Sequence, residues 1–322
     1  MKNILLIISL LYLLFGCSEV PEPMWEDAIF IMDDDGGDLT YLLDGTPGSV
    51  QFTPNDEKII GVHSGIWSIN LDGSGFTYLV DSLSIDISLP VFSPDGSKIA
   101  FTSGDIFIMD IDGTNLQNLT NTPDVRDRFP HFSPDGDSIV YTTDSDSETT
   151  ISIMDTNGEN TRKLISKSTE PYPCYYDYPR YNITGDKIYY NYVGEQKGLC
   201  SINADGTDNN LIFGGYPELY PASMSEDGSE LVFSCGSHIY IMNTASNEIV
   251  DLGSGRNPVM SSDGTKIVYF DKAYVNVMNS DGSEKKQLRY GNRPHFSWDP
   301  FGDEYKIVFA GEREIKNKGI IY

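Results

Sequence analysis

The side chains best suited to ligand chemistry are arginines and tyrosines that recur at one place in a repeated phrase of the sequence. A planar guanidinium binds carboxylates and phosphates through paired hydrogen bonds, and tyrosine is enriched at binding hot spots. This pattern predicts a ligand-binding site, with the alternative that the arginines pair with the neighbouring acids Asp127, Asp177 and Glu218. The side chains concerned are Arg126, Arg128, Arg180, Arg256, Arg289, Arg293, Tyr178 and Tyr220.

Two of the four histidines, His131 and His295, occupy the same position of that phrase, each between a proline and a phenylalanine. Imidazole is a common metal ligand, so repeats that converge could bring both rings to one ligand or metal ion. The alternative is a variable position whose side chains pack between repeats. Other copies of the phrase carry Val91, Arg180, Ala222 and Val259 there.

An acidic turn near the N-terminus offers a second set of candidate metal ligands. Asp33, Asp35 and Asp38 lie in a run of aspartates and glycines, and Ca²⁺ prefers several carboxylate and carbonyl oxygens. The run lacks the terminal bidentate glutamate and the flanking helices of an EF-hand. These residues are therefore weak calcium candidates, and a hairpin turn explains them equally well.

Catalytic motifs are missing from the sequence. No Gly-x-Ser-x-Gly motif marks a nucleophilic serine. Cys174, Cys200 and Cys235 have no metal-binding spacing, and they allow at most one disulfide. The sequence therefore favours a binding role over catalysis, and it predicts no cofactor.

The N-terminal residues are typical of an export signal, because Lys2 precedes an apolar run, Ile4 to Phe15, that is too short to span a bilayer. The run ends in Leu14-Phe15-Gly16-Cys17, which resembles the lipobox of bacterial lipoproteins. This resemblance implies a signal peptide over residues 1–16, an acylated Cys17 and a polar linker over residues 17–27. Ser18 favours the outer membrane, at its periplasmic face or the cell surface. The alternative is an ordinary signal peptide with a chance cysteine.

The composition limits the possible partners. The chain has 48 acidic and 22 basic residues, a formal net charge of −26 and a pI near 4.3. Such a charge argues against nucleic acid or anionic lipid as a ligand. The 39% hydrophobic content is enough for a folded core, so the acidity belongs to the surface of a globular domain.

Two short phrases alternate along the chain, and each occurs seven times. One is an apolar strand that ends in an acidic turn, such as Ile106-Phe107-Ile108-Met109-Asp110. The other is strand, turn and strand, such as Phe92-Ser93-Pro94-Asp95-Gly96 followed by Lys98-Ile99-Ala100-Phe101. Proline, aspartate and glycine set the angles of a tight turn, and the runs between turns are short and β-branched or aromatic. The sequence therefore predicts an all-β domain.

Two hairpins joined in series make a four-stranded sheet of about 40 residues, the size of a propeller blade. The phrases above, together with Leu119-Thr120, resemble the repeat of the TolB propeller and of related propellers fused to prolyl-oligopeptidase-like enzymes. The resemblance covers residues 28–322 and implies a β-propeller of four-stranded blades. We expect seven blades. Six or eight are alternatives, because TolB itself has six blades and because Gly319 to Tyr322 resembles the start of another outer strand. The separate N-terminal α/β domain of TolB is not expected.

The order of the phrases predicts how the propeller closes. The chain opens with the outer-strand phrase, Ile29 to Leu43, and ends with the inner-strand phrase, Pro294 to Ala310. One blade should therefore combine strands from both ends of the chain, which protects the sheet edges. In such a fold the arginines and tyrosines would surround one opening of the central channel.

The resemblance implies a cell-envelope module that binds a protein or peptide at this opening. A different class of function is carbohydrate binding or cleavage, because oligogalacturonate lyases also use a propeller with related repeats and act on acidic sugars. A purely structural envelope role is a third possibility. Convergence of His131, His295 and the arginines on one pocket would favour the sugar-directed function.

Overall fold

The computed structural model of the chain describes residues 24–45, 48–81, 87, 90–169, 174–194, 197–214, 219–225, 227–296 and 305–315. These residues form β-strands joined by turns, as the sequence predicts. The predicted signal peptide (residues 1–16), Cys17 and Gly319 to Tyr322 lie outside the described residues. No helix in the described ranges is long and apolar enough to cross a membrane.

The strands follow the chain in two runs. Those before residue 170 are β1 (Met24–Asp33), β2 (Thr40–Asp44), β3 (Ser49–Phe52), β4 (Lys58–Val62), β5 (Gly65–Asn70), β6 (Thr77–Asp81), β7 (Val91–Phe92), β8 (Lys98–Ser103), β9 (Asp105–Asp110), β10 (Gln117–Asn118), β11 (Arg126–Phe132), β12 (Ser138–Asp144), β13 (Glu148–Asp155) and β14 (Arg162–Ser168). Those after it are β15 (Tyr175–Tyr181), β16 (Lys187–Val193), β17 (Gly198–Asn203), β18 (Asn210–Gly214), β19 (Leu219–Met224), β20 (Glu230–Cys235), β21 (His238–Asn243), β22 (Ile249–Ser254), β23 (Arg256–Met260), β24 (Lys266–Asp271), β25 (Tyr274–Asn279), β26 (Lys286–Tyr290), β27 (Asn292–Phe296) and β28 (Lys306–Ile315).

The strands pair into seven four-stranded antiparallel sheets, which confirms the seven-bladed propeller. Blades 2 to 7 are consecutive sets of four strands, from β3–β6 to β23–β26. The first strands of neighbouring blades contact each other, as β11 does with β15 and β23 does with β27. These first strands are therefore the innermost ones and surround the central axis.

Blade 1 combines both ends of the chain, as predicted. Its order from the axis outward is β27, β28, β1 and β2. The register between β1 and β28 runs without interruption from Met24↔Ile315 to Asp33↔Lys306. Strand β1 thus begins at Met24, within the predicted linker. The carboxylate of Asp33 also forms an ion pair with Lys306, which ties the two strands at the end of the ladder.

Side chains alternate between the two faces of each sheet, and both faces are covered by neighbouring blades. In β1, Phe30 and Met32 pack with residues of blade 7, whereas Ile29 and Ile31 pack with residues of blade 2. This two-residue period explains why the central strands are apolar at nearly every position. The core is a ring of seven such clusters between blades.

Repeated aspartates fix the turns. In Ser93 to Lys98, the carboxylate of Asp95 accepts hydrogen bonds from the Ser93 hydroxyl at 2.6 Å and from the Ser97 backbone N–H at 3.0 Å. These bonds lower the pKa of Asp95 to about 2. Gly96 has a φ of +69°, which glycine adopts without steric cost. Many of the acidic residues therefore have a structural role in turns.

Candidate functional site

Four innermost strands carry the same irregularity, a bulge in which two residues, the second of them a proline, face a single residue of the second strand. The register to the second strand is interrupted between Arg128 and His131 in β11 and between Asp177 and Arg180 in β15. Proline cannot donate a hydrogen bond to the ladder, so the chain bulges at this point. The two-residue bulge segments are Phe129-Pro130, Tyr178-Pro179, Asn257-Pro258 and Arg293-Pro294.

Two of these bulges hold an aromatic residue in an unfavourable backbone conformation. Phe129 has a φ of +56° and Tyr178 a φ of +53°. Positive φ is rare for bulky residues, and a following proline disfavours helical angles further. Such conformations cost on the order of 1–3 kcal/mol each and concentrate at functional sites. The strain therefore marks β11 and β15 as a candidate site.

The two bulges face each other across the boundary between blades 4 and 5 and form three pairs of side chains. Arg128 lies 3.7 Å from the carboxylate of Asp177. The rings of Phe129 and Tyr178 have centroids 4.1 Å apart. His131 and Arg180 occupy the next equivalent positions, and the charge of Arg180 disfavours protonation of the His131 ring. We call these six residues the paired-bulge site.

Arg128 is held in place from several directions. Its guanidinium forms a close ion pair with Asp144 and lies 5.0 Å from the centroid of the Phe129 ring. Asp144 in turn accepts a hydrogen bond from the hydroxyl of Thr149 at 2.7 Å. Both carboxylate oxygens of Asp144 are therefore engaged within the protein, and Arg128 is well positioned.

Burial changes the ionisation of three side chains at the site. It lowers the pKa of His131 to about 3, with a contribution from the Arg180 charge, and it lowers the pKa of Arg180 to about 10. Burial also raises the pKa of Asp177. All three side chains nevertheless keep part of their surface exposed, as expected for groups that line a narrow opening. At neutral pH, His131 is neutral and Arg180 is charged.

Several polar atoms of the paired-bulge site have no hydrogen-bond partner. Arg128 Nε, His131 Nδ1 and Asp177 Oδ1 are buried and form no hydrogen bond within the described part of the chain, although Asp177 Oδ1 lies 3.7 Å from the Arg128 guanidinium. Arg180 donates no hydrogen bond and forms no ion pair within the described part of the chain. An unmet buried polar group costs about 1–3 kcal/mol. A ligand that supplies the missing partners would recover this free energy.

The structure brings together four of the residues predicted from the sequence, Arg128, His131, Arg180 and Tyr178. Arg126 and Arg256 lie exposed at the start of β11 and β23, outside the paired-bulge site. His295 is half-buried on β27 in the same register as His131. Nothing is described of the side chains of Arg293 and Tyr220, although both residues lie on innermost strands.

Two sequence-based assignments need correction. The position equivalent to His131 in blade 6 is held by Ser223, because Ser223 pairs with Val232 as His131 pairs with Val140. The repeat pattern predicts Ala222 at this position, but the proline of that strand is displaced by one residue. Asp127 pairs with no arginine among the described side chains. It is buried and accepts hydrogen bonds from the hydroxyls of Thr122 and Thr143 at 2.6 and 2.5 Å.

The acidic turn proposed for calcium is occupied by internal contacts. Asp33 pairs with Lys306, the carboxylate of Asp35 accepts a 2.6 Å hydrogen bond from the Gly37 N–H, and Asp38 lies exposed beside it. This geometry favours the hairpin-turn interpretation. Among the described residues, no group of three or more His, Cys, Asp or Glu side chains is arranged to hold a metal ion.

Phe129, a member of the site, and Asp144, which holds Arg128 beside it, were not identified from the sequence. A sequence pattern could have identified Phe129. When the copies of the repeat are aligned, a proline recurs directly after the position of Phe129, and a proline within a strand predicts a bulge. Asp144 lies at the far end of β12, opposite Arg126 in the register. Its role follows only from the side-chain contact with Arg128.

Comparisons with known proteins agree with this architecture. The sequence model of the TolB β-propeller domain matches residues 42–215. Among solved structures, an oligogalacturonate lyase in complex with manganese has a TM-score of 0.66 at 13% identity, covering 91% of this chain and 98% of that chain. TolB from Acinetobacter baumannii has a TM-score of 0.56 at 15% identity, covering 90% and 65%. Likeness at these identities concerns the fold alone. A search of curated protein sequences gives no significant match.

Proposed function

This chain belongs to the TolB β-propeller family, and from that premise we propose that it is a non-catalytic binding module of the cell envelope. The proposed partner is a protein or peptide segment, bound at the channel opening formed by β11 and β15. A lipid on Cys17 would hold the domain at the membrane, most simply the outer membrane. The envelope location rests on the lipobox-like sequence and on the family.

One observation carries the binding proposal: the paired-bulge site combines strained backbone with buried polar atoms that lack partners. Phe129 and Tyr178 adopt positive φ, and three buried polar atoms beside them form no hydrogen bond with the residues that the structure describes. Natural proteins satisfy nearly all buried polar groups. A cluster of exceptions on two adjacent innermost strands is best explained by a ligand that binds there.

The thiols support a binding role over covalent catalysis. Cys174, Cys200 and Cys235 are free and buried. Burial raises the pKa of Cys200 and of Cys235 to about 11, so neither is a thiolate at neutral pH. The thiolate is the nucleophilic form of cysteine. These two residues are therefore structural.

The test is capture of a partner by the acyl-free protein, residues 18–322, which keeps every described strand. Solubilised envelopes would be passed over wild type and over an Arg128→Ala/Arg180→Ala variant. Lys163→Ala is the matched control, because Lys163 lies on the outermost strand of blade 4 and pairs only with the exposed Glu148. We expect the double variant to lose at least ten-fold of the captured partner and the control to lose none.

Binding of the identified partner would then be measured with purified components. Equal capture by wild type and the double variant would place the binding surface elsewhere on the propeller. A wild type that captures no protein would contradict the protein-binding role and leave the sugar-directed alternative.

That alternative, binding of an acidic oligosaccharide, is favoured by Arg180, which has no carboxylate partner among the described residues, since a guanidinium also suits a uronate carboxylate. The lyase with the similar fold was solved with manganese, but the described residues of this chain do not provide a group that fits a metal ion. We therefore derive no metal-dependent step. Calorimetric titration with oligogalacturonate, together with an assay for the unsaturated product, would separate binding from cleavage.

A further inference from the structure

We infer that the group recognised at the paired-bulge site is the C-terminal residue of a peptide, with its carboxylate at Arg180 and its backbone N–H at Asp177. This inference rests on the proposed function and adds the chemical identity of the ligand. It follows from which atoms of the site have partners within the protein and which do not.

Arg180 supplies the binding position for an anion. It lies among Tyr178 and the neutral His131, and no carboxylate of the described residues pairs with it. A desolvated guanidinium forms strong, paired hydrogen bonds with a carboxylate. The unpaired Nε of Arg128 is a further donor on the facing strand.

Asp177 supplies the binding position for a hydrogen-bond donor. Its Oδ1 accepts no hydrogen bond, and its nearest cation, Arg128 at 3.7 Å, pairs more closely with Asp144. Asp144 is engaged by Arg128 and Thr149, so Asp177 is the acceptor still available. Asp177 and Arg180 flank the same bulge, which places the acceptor and the cation on either side of Tyr178.

A peptide C-terminus matches this arrangement. It carries one carboxylate and one N–H donor on the same residue, and its side chain can pack on the Phe129 and Tyr178 rings. A polymer with many carboxylates fits less well. The protein has a net charge of −26, and Asp144 and Asp177 lie within the site, so each additional negative charge is repelled within about 10 Å.

The experiment uses the acyl-free protein and an array of N-terminally tethered heptapeptides. Each peptide is made once with a free C-terminal carboxylate and once as the carboxamide. We expect a subset of the free acids to bind at least ten-fold more tightly than their carboxamides. Arg180→Met should abolish this difference, Asp177→Asn should weaken binding of the free acids, and Lys163→Ala should change neither. Circular dichroism and the thermal midpoint establish that each variant is folded.

Equal binding of acids and carboxamides, or a preference that survives Arg180→Met, would overturn the inference. If no peptide binds while the Arg128→Ala/Arg180→Ala variant still loses its envelope partner, the site stands but the C-terminal ligand is wrong. If the free acids bind and the Arg180→Met and Asp177→Asn variants still capture the envelope partner, the peptide contact is separate from the proposed function. Preferential binding of an oligogalacturonate added in competition would replace the peptide with an acidic sugar.

Discussion

At the scale of single residues, His131 reports on the electrostatics of the paired-bulge site. Its ring is buried beside Arg180, and both the burial and the neighbouring positive charge oppose protonation. An unperturbed histidine has a pKa near 6.5. The folded protein therefore binds fewer protons at this position than the unfolded chain between about pH 6.5 and pH 3. The contribution of His131 to stability is fully present above pH 6.5 and decreases as the pH falls through that range.

We predict that His131 titrates near pH 3 in the wild type and that Arg180→Met raises its pKa. The reason is that the substitution removes the positive charge and leaves burial as the main opposing effect. The four histidine Cε1–H resonances can be followed by NMR as a function of pH, with His131→Gln to assign the signal. An Arg162→Met variant, altered on the outermost strand of blade 4, serves as the control for loss of an arginine elsewhere and should leave the His131 pKa unchanged. An unchanged His131 titration would mean that Arg180 does not contact the ring.

At the scale of strands, blade 2 departs from the repeat in an instructive way. The fourth residue of the second strand is aromatic in six blades, but it is Gly61 in blade 2. Gly61 pairs with Trp67 on β5, and a Cβ atom at Gly61 would come within 1.9 Å of the Trp67 ring. The Trp67 ring therefore fills the space that a ring on β4 would occupy. The aromatic residues are Phe101, Tyr141, Tyr190, Phe233, Tyr269 and Phe309.

We predict that Gly61→Tyr destabilises the protein by about 1–3 kcal/mol, because the new ring overlaps with Trp67. The double variant Gly61→Tyr/Trp67→Ser recreates the pair Tyr141↔Ser152 of blade 4 and should recover most of the loss. Urea unfolding of the wild type, both single variants and the double variant measures the coupling between the two positions. Additive effects of the two substitutions would show that the rings do not compete for one space.

The same comparison of blades explains what could be predicted from the sequence. Strands, turns, blade number and closure follow from local patterns such as Ser93-Pro94-Asp95-Gly96, which repeat in nearly every blade. The paired-bulge site does not repeat. It depends on contacts between strands β11, β12 and β15, such as that of Arg128 with Asp144, and these require the three-dimensional packing. The sequence therefore predicted four of its six residues but not their arrangement.

At the scale of the whole molecule, strand direction decides which face each feature occupies. The first and third strands of a blade run in the same direction, since both are antiparallel to the second. β1 is the third strand of blade 1, and β11 is the first strand of blade 4, so Met24 lies on the face where β11 and β15 begin. β1 pairs with β2 from Ala28 onward. The four residues before Ala28 pair with β28, and these four pairs form a two-stranded ribbon about 13 Å long at the edge of the blade.

This geometry predicts that an acylated Cys17 turns the paired-bulge site toward the membrane. Seven residue steps separate Cys17 from Met24 and span at most about 25 Å, so the anchor cannot readily reach the opposite face. Dyes would be attached at Lys272→Cys and Glu284→Cys, which lie in turns at opposite ends of blade 7, while Cys174, Cys200 and Cys235 are buried. Energy transfer to an acceptor on lipid headgroups should be stronger from position 272. Cys17→Ser should abolish transfer from both positions, which tests the anchor separately. Stronger transfer from position 284 would mean that the site faces away from the membrane and that its partner approaches from the aqueous side.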